Sequence, residues 1–167
     1  FVESLRIVKQ WIPDWIIFEN VRGITETESG IFLELMLSSL KSSGYTTSWW
    51  VLNAADYGVP QIRQRLFVVG SLHGLKFEKP LPSTPRQITV EEAISDLPEL
   101  PNGASINKLP YRKKASSHYI DMLRGKMAAT VNHLVTKNAD HILERYKHVP
   151  QGGNWENIPP NLMGNYS

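Results

Sequence analysis

The sequence predicts an α/β fold followed by a small, irregular, mostly non-sheet region. Three observations carry that expectation. Val2, Leu5, Val8 and Ile12 recur at helical spacing. An unbroken apolar run, Trp15-Ile-Ile-Phe18, follows, and helical and extended patterns then alternate as far as Gly70. Beyond Pro80 the alternation gives way to stretches rich in proline and glycine.

Taken in order, Pro13 and Asp14 end the first helix. Trp15 to Phe18 is apolar without alternation, which suits a strand buried on both faces, as in a parallel sheet. Thr25 and Glu28 have capping-box spacing and open a helix through Ile31, Leu35, Met36 and Leu40, which Gly44 stops. Tyr45 to Leu52, rich in Thr, Trp and Val, reads as the next strand. A polar loop built on Gly58 and Pro60 joins it to an antiparallel partner ending in Leu66–Val69. Pro80, Pro82 and Pro85 mark a linker, and Thr89-Val-Glu-Glu92 caps a short helix running to about Leu97. The boundary is placed near Pro98 to Asn102, dividing the chain into residues 1–98 and 99–167. Helices are expected in the second part near His118–Arg124 and Asn138–Lys147.

With 167 residues, the chain can bury one good core, or one core and a small appendage. No run approaches the roughly 18 apolar residues of a membrane span, so no membrane partner is expected. The lack of cysteine excludes disulfides, thiolate metal sites and a cysteine nucleophile within this chain, and is compatible with a cytoplasmic protein. The absence of a signal peptide and of an initiator Met suggests a piece of something longer. His133, His141 and His148 stand eight and seven residues apart with no fourth ligand in sight, so no metal site is expected. The net charge of +2 hides an asymmetry. Residues 1–100 carry nine basic against twelve acidic groups, net −3, while residues 101–167 carry nine against four, net +5. The C-terminal third therefore suits a polyanionic partner, or else an ordinary solvated basic surface.

The chemistry-bearing stretch is Asn53 to Gly70. Read as an extended chain, it points Gln61, Arg63 and Arg65 to one face, and Ile62, Gln64 and Leu66 to the other. Two guanidiniums and an amide at the mouth of an interior strand call for an anionic or acceptor-rich partner. Glu19, Asn20 and Val21 directly follow the apolar strand, where ligands of α/β sheets bind. A carboxyl group there, walled by apolar residues, is a candidate acid, although a simple turn cap would use the same residues. Arg112, Lys113 and Lys114 form a basic cluster. Gly152, Gly153 and Asn154 precede Trp155, either bringing backbone and an indole to a ligand or making a turn closed by a core tryptophan.

Together these residues resemble the DNA (cytosine-5) methyltransferases. Glu19-Asn20-Val21 follows an apolar strand, and Gly58-Val-Pro-Gln-Ile-Arg-Gln-Arg65, preceded by Ala55-Asp56-Tyr57, follows the next helix and strand. Thr89 to Pro98 resembles a short helix the family places next, while Arg145-Tyr146 and Gly152 to Trp155 resemble parts of its target-recognition region. The resemblance implies the second half of a Rossmann-like methyltransferase sheet over residues 1–98 and the beginning of the recognition region over 99–167. It implies double-stranded DNA as partner, S-adenosylmethionine as donor and a bacterial, cytoplasmic restriction-modification setting. It gives Glu19 the role of acid at ring nitrogen 3 of a flipped cytosine. Asn20 and Val21 shape the base pocket, Gln61 fixes the loop, and Arg63 and Arg65 hold the base oxygen, the carboxylate or the neighbouring phosphate. Arg112, Lys113, Lys114, Gly152, Gly153 and Asn154 are assigned to DNA.

The family's glycine-rich donor loop and Pro-Cys nucleophile loop have no counterpart in the sequence. The chain alone is therefore expected to hold no S-adenosylmethionine and to be inactive. An incomplete sheet would leave an apolar edge, for which self-association is expected. The main alternative is a non-catalytic DNA-binding or regulatory module retaining the methyltransferase scaffold. A remoter one is an unrelated α/β protein whose arginines bind a phosphorylated metabolite.

Overall fold

The structure, a computed structural model, describes residues 2–164, with the side chain of Glu28 outside the described residues. Two compact units divide between Ala93 and Ile94. The first contains helix α1 (Val2–Trp11), strand β1 (Trp15–Val21), helix α2 (Ile31–Ser42), and strands β2 (Thr46–Asn53) and β3 (Gln64–Ser71). Helix α3 (Val90–Ile94) lies at the division. The second unit contains β4 (Ser105–Pro110), α4 (His118–Arg124), β5 (Ala129–Leu134), α5 (Asp140–Lys147) and α6 (Pro160–Met163). Among the described residues, no helix is long and apolar enough to cross a membrane.

The first unit is a three-stranded sheet in the order β1-β3-β2, with β3 antiparallel to both neighbours. The expected β2–β3 antiparallel pair is present. The expectation that β1 is buried on both faces in a parallel sheet is corrected: its burial alternates along the strand, and Ile17 is 76% exposed. The reason is that, among the described residues, β1 is an edge strand paired only to β3, and helices cover one face. On that face Leu33, Met36 and Leu40 of α2 meet Tyr45, Leu66 and Val68, with Leu5, Val8, Ile16 and Phe18 packed around them. Each fully buried aliphatic side chain contributes about 1.5–3 kcal/mol. The Tyr45 hydroxyl donates to the Pro13 carbonyl at 2.6 Å, so the core phenol is satisfied. Burial, followed by the Asp14 carboxylate, pushes that phenol above its ordinary pKa.

Other differences have local causes. α2 starts only at Ile31, after two turns of 3-10 helix, because Gly30 sits in the left-handed region at φ 86°. The Thr25–Glu28 box lies partly outside the described residues; the Thr25 hydroxyl donates to the Arg22 carbonyl at 2.8 Å instead. α3 ends at Ile94 rather than near Leu97, although its capping box forms as expected. The Glu92 carboxylate accepts from the Thr89 backbone at 2.9 Å, and the Thr89 hydroxyl accepts from the Glu92 backbone at 3.1 Å. The second unit is less irregular than expected, since β4 and β5 pair as an antiparallel ribbon. Reciprocal bonds between Asn102 and Asn138, at 2.8 and 2.9 Å, tie its base.

Gly70 shows how tightly the covered face is packed. A Cβ there would lie 2.6 Å from Ile16 Cγ1, its cross-strand neighbour, and 3.3 Å from the Tyr45 ring. Gly70→Ala is expected to destabilise the first unit by about 1–3 kcal/mol, read from the denaturation midpoint. Glu92 supplies a second prediction. The Arg86 guanidinium, followed by the Thr89 donors, holds its carboxyl down to about 2 from an ordinary 4.5. A depressed folded-state value means that the cap stabilises above the ordinary pKa and is lost as pH falls from about 4.5 to about 2. Amide shifts of residues 89–94 should titrate near 2 and lose that inflection in Glu92→Gln; titration at the ordinary value contradicts the cap.

Candidate functional site

The site forms where β1 and β2 finish and β3 begins. Both outer strands run antiparallel to β3, so their carboxyl ends meet its amino end. The register sets Arg65 opposite Val21 on one side and opposite Leu52 on the other. Directly opposed residues of an antiparallel pair share a face, so Glu19, Val21 and Arg65 lie together on the face away from α2. Glu19 reaches Arg65 diagonally, with Oε1 2.9 Å from Nε. The carboxylate side chain is 50% exposed and the guanidinium 20%. Arg65 Nη1 also donates to the Gln64 carbonyl at 2.9 Å. Oε2 of Glu19 makes no hydrogen bond among the described residues, so one carboxyl oxygen is held and the other is available to a ligand.

Asn20 occupies the opposite face, opposed to Leu66, and its Oδ1 accepts from the Val21 backbone at 2.8 Å. It therefore shapes the strand end rather than sharing a wall with Glu19. The expectation that Gln61, Arg63 and Arg65 form one face of a strand is corrected, because β3 begins only at Gln64. Gln61 and Arg63 belong to the preceding loop and are exposed. The Gln61 backbone donates to the Val59 carbonyl at 2.7 Å, a tight turn next to Pro60. Among the described residues the Arg63 guanidinium has no partner. The two arginines thus differ: Arg65 is committed to Glu19, and Arg63 is free to meet an incoming anion.

The loop itself is closed by a residue the sequence reading passed over. Asn53 Oδ1 accepts from the Ala55 backbone at 3.4 Å and from the Arg63 backbone at 3.0 Å. Ala54 N donates to the Arg63 carbonyl at 3.0 Å, completing the neck. An asparagine at a strand end ahead of Ala-Ala-Asp is an Asx-turn signal that could have identified it. Asp56 and Tyr57 tie the loop to the proline-rich segment: the Gln87 amide donates to Asp56 at 3.0 Å, and the Tyr57 hydroxyl donates to the Pro80 carbonyl at 2.8 Å. Between them lies an open cleft of about 510 Å³, lined by Asn53, Asp56, Tyr57, Gln64, Lys79 and Pro80 among others.

In the second unit the basic cluster rests on a buried ion pair. Asp96, with a side chain only 3% exposed, receives Arg124 Nε at 2.6 Å. The same guanidinium stacks over Tyr111 at 3.8 Å from the ring centre and donates to the Lys113 carbonyl at 2.6 Å. The Arg112 backbone donates to the Asp96 carbonyl at 2.8 Å, while its side chain pairs with Glu99. Residues 111–114 are therefore held from below, with Lys113 and Lys114 exposed and without ion-pair partners among the described residues. Gly152, Gly153 and Asn154 make a specified turn. Gly152 has φ 77°, and a Cβ on Gly153 would lie 2.6 Å from Asn157 Oδ1. Asn154 and Asn157 cap the turn reciprocally. Trp155 is 65% exposed, so the alternative of a turn closed by a core tryptophan does not hold.

A carboxylate held by an arginine at the carboxyl ends of the strands, and a basic segment in a second unit, are the charged features of an α/β protein. The chain matches the C-5 cytosine-specific DNA methylases over residues 1–159 and belongs to that family. It is 37% identical to the type II methyltransferase M.XorII of Xanthomonas oryzae pv. oryzae, over 73% of this chain and 30% of that protein. It is 30% identical to the type II methyltransferase M.DdeI of Desulfomicrobium norvegicum, over 91% of this chain and 39% of the relative. The mouse DNA (cytosine-5)-methyltransferase 1 is 29% identical over 95% of this chain and 12% of its own length. The chain thus spans about a third of the two bacterial relatives. A crystal structure from E. coli, described as a prophage-encoded DNA modification methyltransferase, superposes with a TM-score of 0.63 at 21% identity, covering 87% of this chain and 48% of that one. That likeness shows the fold.

Proposed function

We propose that this chain supplies the proton-donating part of a DNA cytosine-5 methyltransferase and the beginning of its target-recognition region. The observation that carries the reading is the Glu19–Arg65 pair at the strand ends, 2.9 Å apart, with no hydrogen bond to Oε2 among the described residues. As a nucleophile adds to carbon 6 of a flipped cytosine, electron density moves to ring nitrogen 3, and the Glu19 carboxyl hands its proton there. Arg65 keeps that carboxyl in place. Arg63 meets the base oxygen or the neighbouring phosphate, and Gln61 and Asn53 hold the loop that carries it. The nucleophile is a thiolate in this chemistry, and this chain has no cysteine. The complete protein is read as a bacterial cytoplasmic enzyme of a restriction-modification system.

S-adenosylmethionine supplies the methyl group in the complete enzyme. The described residues do not fit it: β1 runs into a 3-10 turn whose one glycine is Gly23, not a glycine-rich loop. The second unit meets double-stranded DNA through Lys113 and Lys114, with Arg112 partly neutralised by Glu99, and through the turn at Gly152, Gly153 and Asn154.

Three measurements test this reading. The purified chain should transfer no methyl group to DNA above background, and Glu19→Gln in the complete gene product should lower transfer by about 10²–10⁴-fold; activity of the isolated chain, or full activity of the variant, contradicts it. DNA affinity of the chain should fall with salt, and Lys113→Ala and Lys114→Ala should each reduce the slope by about one, with Arg112→Ala having a smaller effect. Equal effects, or binding indifferent to salt, count against the assignment. Because among the described residues β1 keeps an unpaired edge with exposed Trp15, Ile17 and Val21, light scattering should read a mass above 19.0 kDa that rises with concentration, and a clean monomer refutes self-association.

A further inference from the structure

The Arg22 and Gln64 side chains join the turn after β1 to the first residue of β3. Arg22 follows β1 directly, and its guanidinium faces two partners. Nε and Nη2 donate to Glu26 Oε1 at 2.9 and 2.6 Å, and Nη1 donates to Gln64 Oε1 at 2.7 Å. The pair with Glu26 has ordinary i,i+4 spacing and fixes the guanidinium plane. With the plane fixed, Nη1 reaches a residue 42 positions away on another strand.

Gln64 is where the β1–β3 ladder ends, although it still stands opposite Asn53 on the β2 side. β1 pairs with β3 no further than Val21 opposite Arg65, so the first residue of β3 has no ladder partner on the β1 side. Strand ends left this way fray. The Gln64 carbonyl is also the acceptor for Arg65 Nη1, at 2.9 Å. Movement of Gln64 would therefore pull away one of the two groups that orient the guanidinium holding Glu19.

We propose that Arg22 and Gln64 are positioning residues for the Glu19 carboxyl: Arg22 pins the first residue of β3 to the turn after β1, in place of the missing ladder bond, and so holds Arg65 against Glu19. A lysine at position 22 could not do this, because a single ammonium has no fork to engage Glu26 and Gln64 in one plane. The purpose given to this contact rests on Glu19 being the proton donor, but the contact itself does not.

The test uses this chain and the side-chain N–H signals of its arginines. The Arg65 Nε–H, identified by its loss in Arg65→Lys, should exchange with water at least about threefold faster in Arg22→Ala and in Gln64→Ala, the scale expected for an exposed pair. Gln64→Glu, which keeps an acceptor for Arg22, should restore the parent rate. Far-ultraviolet circular dichroism and the melting midpoint should stay unchanged in all three, since the residues are exposed. Unchanged Arg65 exchange in Arg22→Ala and Gln64→Ala overturns the proposal, as does failure of Gln64→Glu to restore it. Failure of the proton-donor reading is a separate result, seen as full methyl transfer by the Glu19→Gln gene product.

Discussion

The position of β3 between two parallel neighbours is the constraint on which the rest depends. Arg65, its first residue paired on both sides, is opposed by Val21 and Leu52, and Glu19 lies one diagonal step away. A slip of one residue would send Arg65 to the helix-covered face and bring Leu66 or Gln64 out in its place. The covered face prevents that slip, because Leu66 and Val68 are fully buried against α2 and Gly70 alone leaves room for Ile16. Core packing and site geometry are therefore the same fact seen from two sides of one sheet.

The order of elements was legible in the sequence because each carries a local signal: helical spacing in α1 and α2, turn chemistry at Gly58 and Pro60, the capping box of Thr89 and Glu92. The depth at which each element sits was not. Trp15 to Phe18 reads as doubly buried because all four residues are apolar, yet Ile17 faces outward on an edge strand. Apolarity reports what a residue tolerates, whereas its neighbours decide what covers it. The β4–β5 ribbon was missed for a related reason. Its strands are mostly exposed and are separated in sequence by α4, so neither a hydrophobic alternation nor a tight turn announces them.

The site was legible as a set of residue types and not as a geometry. Glu19, Arg63 and Arg65 were marked by charge next to apolar strands. Their division of labour came from the start of β3, which leaves Arg63 in the loop and puts Arg65 in the ladder. Asn53, Arg22 and Gln64 have unremarkable types, and their importance lies in bonds to backbone or to distant residues that spacing does not reveal. In the second unit, the opposite correction applies to charge. Counting alone credits Arg112 equally with Lys113 and Lys114, but Glu99 engages Arg112, and Asp96 takes Arg124 into the frame beneath them. Counted over the second unit from Ile94, which includes Asp96 and Glu99, nine basic groups stand against six acidic, net +3.

The central claim is that Arg65 acts through Glu19. A double-mutant cycle in the complete gene product tests it most directly, with methyl transfer measured for Glu19→Gln, Arg65→Ala and the two combined. If the guanidinium serves only to hold the carboxyl, the double variant is no slower than Glu19→Gln alone. If the two losses multiply, Arg65 does work of its own and the account is contradicted.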